Sequence, residues 1–107
     1  METIMVKYKL KPGSRERLQE WREYSERHRS AVLKTLEREG VVYEAAFLDV
    51  VGEDSYLLYL LRAHDVNKAV QIFMQSMDEV DQYQHAFLQD VVEARTSTEL
   101  LVEFERS

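Results

Sequence analysis

Three glycines and a single proline divide this 107-residue chain into segments of two different periods, which leaves few folds open. Residues 3–10 alternate, with Ile4, Val6, Tyr8 and Leu10 on one side and Met5, Lys7 and Lys9 on the other, as in a β-strand. Pro12-Gly13 ends that strand, and Ser14 follows as a helix N-cap with Glu16 in the first turn. The spacing then predicts one long helix from Ser14 to Glu39, closed by Gly40, because glycine reaches the left-handed conformation that commonly ends a helix. Val41 to Val51 and Ser55 to Ala63 read as the second and third strands around a Gly52-Glu53-Asp54 loop. Asp65 can cap the next helix, with Ala69, Val70, Phe73 and Met77 inward. A break near Met77–Asp78 should start a further helix carrying Val80, Phe87 and Val91. Thr96 to Glu105 is expected to close the chain as a strand, with Leu100, Val102 and Phe104 inward.

The order β-α-β-β-α-β describes a single α+β domain over residues 1–107, the ferredoxin-like arrangement. Right-handed crossovers place the first and third strands at the centre of a four-stranded antiparallel sheet, with the helices on one face. The third strand is apolar on both sides, with Leu57, Tyr59 and Leu61 backed by Tyr56, Leu58 and Leu60. In the second, Val42, Ala46, Leu48 and Val50 back Tyr43, Ala45 and Phe47. A sheet covered on one face alone should alternate apolar and polar. The second face therefore needs its own cover, and the economical one is another copy of the sheet, so a homodimer is expected.

Net charge is −6, unevenly spread. Residues 1–40 hold ten Lys/Arg against seven Asp/Glu, and residues 41–107 hold four against thirteen. The basic residues of the first helix alternate with acidic ones at pair spacing, as in Glu23 with Arg27 and Glu26 with Arg29, so they make a solvated face. An acidic chain without a coherent basic stripe does not read as a nucleic-acid binder. No apolar run approaches the ~18–20 residues of a membrane span, and no secretory leader pattern is present. With no cysteine, thiolate chemistry and disulfides are excluded, and a cytoplasmic address is expected.

The first helix carries the most telling irregularity. At about 100° per residue, Leu18, Trp21, Val32 and Leu36 form one apolar stripe. In its gap stand Ser25 at the centre, His28 at the flank and Arg29 opposite. A helix that only packs would place Leu or Ala there. The pattern predicts a cavity against the sheet, lined by Trp21, Ser25, His28, Arg29 and Tyr43, for a small-molecule ligand. Tyr24 and His28, four apart, share a helix face, so a hydroxyl and an imidazole could reach one ligand. The alternative for His28 is a structural hydrogen bond to a backbone carbonyl or to Glu44. Glu44, on an otherwise apolar strand face, reads as a paired buried carboxylate, an inter-subunit charge, or a site group if burial raises its pKa.

At this point the chain resembles the dimeric α/β-barrel superfamily, which includes antibiotic-biosynthesis monooxygenases, haem-degrading monooxygenases and sugar mutarotases. It is most similar to the L-rhamnose mutarotase type. The Glu-Tyr-x-x-Arg-His element of that family's first helix has its counterpart in Glu23-Tyr24-Ser25-Glu26-Arg27-His28. The aromatic-Leu-Asp end of its second strand matches Phe47-Leu48-Asp49. The resemblance implies His28 as proton donor and Tyr24 as a sugar-contacting hydroxyl, with Tyr43 one residue off register from a second substrate tyrosine. The family's paired tryptophans on the later helix have no counterpart, since Trp21 is the only tryptophan. The haem-degrader pattern matches only near His85, so no cofactor is expected, and a further bacterial branch of the superfamily is an alternative placement.

His64 reads as a surface residue at a strand end, and His85, four after Asp81, as a structural helix pair. No HExxH, phosphate loop or nucleophile elbow occurs, so no metal site is expected. Two function classes stay open: a cofactor-free small-molecule enzyme, mutarotase-like or monooxygenase-like, and a non-catalytic binding or interaction dimer.

Overall fold

The computed structural model describes residues 1–106. Four strands, β1 (Glu2–Leu10), β2 (Val41–Val51), β3 (Asp54–Ala63) and β4 (Val92–Ser97), form one sheet in the order β2-β3-β1-β4. All neighbours are antiparallel, with Val6 opposite Tyr59 and Ala46 also opposite Tyr59 from the other side. The helices are α1 (Arg15–Arg27), α2 (Arg29–Glu39), α3 (Val66–Gln75) and α4 (Glu79–Val91). This is the ferredoxin-like α+β arrangement, with β1 and β3 central as the crossover rule requires. No helix among the described residues is long and apolar enough to cross a membrane.

The core lies between the sheet and the helices. Leu10, Leu57 and Tyr59 meet Phe87 and Val91 of α4, while Val41 and Ala63 meet Ala69 of α3. The register puts Glu44, Ala46, Leu48 and Val50 of β2 opposite Leu61, Tyr59, Leu57 and Ser55, hence on the helix side. Tyr43, Ala45 and Phe47 oppose Arg62, Leu60 and Leu58 on the open side. Val42 is the extra residue of a bulge near the strand's start, since Val41 faces Ala63 and Tyr43 faces Arg62.

Asp65 caps α3 by accepting from Lys68 N at 3.1 Å, and Asp78 caps α4 by accepting from Val80 N at 2.9 Å. Gly40 ends α2 with φ of 72°. Three expectations are corrected. Val70 and Met77, expected inward, are exposed. The long first helix is interrupted at His28, whose φ of −105° and ψ of 27° separate α1 from α2. The bend lets α1 lie along α4 while α2 turns to pack on both α3 and α4. The last strand runs over Val92–Ser97, directly out of α4, rather than Thr96–Glu105. The Thr98 hydroxyl donates to the Met5 carbonyl, and the chain then leaves the ladder. Leu100, Val102 and Phe104 are consequently exposed instead of inward, and Leu101 with them.

Candidate functional site

On its helix side, β2 is covered only at its start. Val41 is buried, but Glu44 and Ala46 are exposed, Leu48 is 43% exposed and Val50 56%. Across from them, α1 buries no residue fully: Leu18, Trp21 and Ser25, three and four apart on one face, are half-buried. An open cleft therefore runs between α1 and β2. Near the β2–β3 hairpin lies a cavity of about 200 Å³ bordered by Leu10, Leu18, Leu48 and the Pro12–Gly13 turn, with Trp21, Ser25 and Glu44 outside its lining.

A polar chain of fixed direction crosses the inner wall. Indole is a donor only, so Trp21 Nε1 donates to Gln84 Oε1, at 2.8 Å. That leaves the Gln84 amide nitrogen to donate to Tyr59 Oη, at 2.7 Å. Among the described residues no acceptor takes the Tyr59 proton in return. Burial pushes the Tyr59 phenol well above its ordinary pKa, against the opposing hydrogen bond from Gln84, and the Glu44 charge raises it further. Tyr8, edge-on to Tyr59 with centroids 6.0 Å apart, is raised by burial too, with Arg95 opposing and Glu44 adding.

Glu44 is open to solvent along the cleft, yet the protein packed around it holds its carboxyl above the ordinary range, with Asp81 as the second cause. Solvent in the cleft moderates that shift without changing its direction. Two further carboxylates share the interior. Glu39 is pushed up to about 7, first by burial and then by the charges of Asp81 and Glu44, with Arg38 opposing. Asp81 is buried.

The sequence-derived residues fall into separate places. Trp21 and Ser25 line the cleft side of α1. Tyr24 and His28 are neighbours, with ring centroids 4.2 Å apart, but Tyr24 lies in the α1–α4 seam, stacked on Tyr83 at 3.5 Å. His28 is exposed at the helix junction. Burial in the seam raises the Tyr24 phenol, and Glu79 adds to it. Arg29 points outward and pairs with Glu26 at 3.2 Å. Tyr43 is on the open face of the sheet, with the sheet itself between it and Trp21. Glu39, Asp81, Gln84 and Tyr59 were not singled out as site residues from sequence. The available signal was a run of polar groups at positions 81, 84 and 85 on the face of α4 that also carries Phe87 and Val91. Among the described residues no cluster of His, Asp and Glu is arranged to hold a metal ion.

Comparison with known proteins adds three findings. No curated protein sequence matches the chain. The solved structure of an L-rhamnose mutarotase from Formosa agariphila superposes with a TM-score of 0.56, covering 98% of this chain and 100% of that one. At 16% identity the likeness is one of fold. Over residues 1–107 the sequence matches the model of a family of unknown function, DUF6176, and the chain belongs to that family.

Proposed function

We propose that this protein is a cofactor-free acid–base enzyme of the sugar-mutarotase kind, with a small polyhydroxylated substrate in the cleft between α1 and β2. The observation that carries this reading is the Glu44 carboxyl, raised in pKa and open to the cleft, close enough for its charge to act on the Tyr59 phenol. Mutarotation needs one proton delivered to the ring oxygen and one removed from the anomeric hydroxyl. The bond from C1 to the ring oxygen then breaks, the aldehyde rotates, and the ring recloses on the other face. A carboxyl raised toward neutrality can give and take such a proton. Tyr59 has a proton to donate in a hydrogen bond, Trp21 offers an apolar ring to the flat face of a sugar, and Ser25 a hydroxyl. The fold similarity to an L-rhamnose mutarotase supports the same substrate class. The test is NMR saturation transfer between anomers over a panel of aldoses that includes L-rhamnose. Accelerated exchange of at least one sugar is expected, and none across the panel would overturn the reading.

A second reading concerns assembly. We infer a homodimer built on the open sheet face, where Met5, Tyr43, Phe47, Leu58 and Leu60 lie together. Phe47 is 52% exposed, and the tail adds Leu101 at 81% and Phe104 at 91%. Glu105 reaches Arg62 on the same open face at 2.6 Å, which ties the tail's end beside that surface. Contiguous apolar area of this kind marks an interface rather than a wetted surface. Sedimentation velocity should give twice the 12.7 kDa chain mass at micromolar concentration, and a monomer would contradict it.

A further inference from the structure

A second cavity, of about 330 Å³, opens among α2, the end of α3 and the start of α4, away from the α1–β2 cleft. Glu39 of α2 and Asp81 of α4 both line it, beside Thr35, Ile72 and Met77. Asp81 is only 4% exposed, and among the described residues no hydrogen bond or ion pair reaches its carboxylate. The Glu39 Oε2 atom is likewise buried without a partner. The cation nearest at hand, Arg38, is engaged with Asp78 at 2.9 Å, and Asp78 is itself committed as the cap of α4.

Two carboxylates facing one concave space repel each other, and the Arg38 guanidinium, which also lines it but is engaged with Asp78, offsets that only in part. A proton or an external cation would relieve it further. Among the described residues two carboxylates with no third acidic or His ligand are too few for a metal ion, whereas they suit an organic ammonium. An ammonium carries three donors. Glu39 and Asp81 can accept two of them. The Thr35 hydroxyl can accept the third, because it spends its own proton on the Val32 carbonyl, at 2.7 Å. Half-buried Ile72 supplies apolar wall for a short alkyl chain, with the exposed Met77 at the rim. The volume sits at the lower end of the range for small-molecule sites.

We propose that this cavity binds a small primary amine in its ammonium form, held by Glu39 and Asp81 with its alkyl chain against Ile72 and Met77. The proposal is independent of the mutarotase reading and has a separate readout. Proton and ligand compete for the Glu39 carboxylate, so binding strengthens as pH rises through the Glu39 titration near 7. The groups that set that titration are Asp81 from α4, Glu44 from β2 and Arg38 from α2, with Asp78 neutralising Arg38.

The test uses n-butylammonium, with n-butanol as its neutral counterpart, followed by calorimetry and by backbone amide shifts around Thr35 and Asp81. At about pH 8 the ammonium should bind and the alcohol should not, and binding should weaken about tenfold or more at about pH 5. Glu39→Gln and Asp81→Asn, both of unchanged shape, should each weaken it at least about tenfold. If Asp81→Asn fails to fold, Glu39→Gln decides alone. No binding by the wild-type protein at about pH 8, equal binding of the alcohol, or undiminished binding by Glu39→Gln would each overturn the proposal.

Discussion

The indole of Trp21 lies flat on the ring of Phe87, with centroids 4.6 Å apart and planes 6° from parallel. This stack ties α1 to α4 and leaves the other edge of α1 facing an open strand, so packing and cleft are made by one residue. Phe87 is fully buried, and Phe87→Ala should cost about 3–5 kcal/mol in a urea unfolding curve. Trp21→Phe keeps the stack but strands the Gln84 oxygen, and should cost about 1–3 kcal/mol. A loss for Trp21→Phe as large as that for Phe87→Ala would mean that the hydrogen-bond chain is not the smaller contributor.

Stability should fall as pH rises toward neutrality. Folded Glu39 keeps its proton up to about 7, whereas the unfolded chain releases it in the ordinary carboxylate range. Between those limits the folded state binds more protons, so each step up in pH favours unfolding, and the cost is complete above about pH 7. Glu39→Gln should flatten that slope and add about 1–2 kcal/mol at about pH 8, its partial exposure holding the gain below the full shift. Melting temperatures measured from about pH 4 to 8 give the comparison. An unchanged slope in the variant would remove Glu39 from the account.

If the open sheet face forms the proposed dimer, Phe104→Glu should dissociate it while leaving the fold intact, because that ring is 91% exposed within one chain. Leu58→Glu, on the open face, should have the same effect. Sedimentation equilibrium separates the outcomes, and a Phe104→Glu protein that remains dimeric would exclude the tail from the interface.

Ser25 is half-buried on the cleft side of α1. Ser25→Leu should fill cleft space, abolish sugar-induced shifts of the Trp21 indole resonance, and change stability by less than about 1 kcal/mol. A loss of several kcal/mol would show that the position is packed rather than open.

The fold was legible because period-two segments meet glycines at Gly13, Gly40 and Gly52, and because Asp65 and Asp78 sit where helices need an acceptor. Even the break before α4 could be read from that capping chemistry. The bend at His28 could not be, since no proline or glycine marks it and only the packing of α2 on α3 requires it. The tail misled because Leu100, Val102 and Phe104 alternate like a half-buried strand, whether they face this core or another copy of it. The candidate site was half legible. Trp21 and Ser25 are half-buried on one face of α1, but β2 is apolar on both sides, so nothing in its pattern said which side Tyr43 or Glu44 would take. Glu39 and Asp81 are 42 positions apart, and only the tertiary fold brings them to one cavity.

The most direct test of the central claim compares anomer exchange by saturation transfer for the wild-type protein, Glu44→Gln and His28→Ala, on whichever aldose the wild type turns over. Glu44→Gln keeps the shape of the side chain and removes only its proton transfer, so the exchange rate should fall by about 100-fold or more with sugar binding retained. His28→Ala, at the exposed helix junction, is the comparison and should leave the exchange rate close to that of the wild type. An exchange rate for Glu44→Gln equal to that of the wild type would contradict the account.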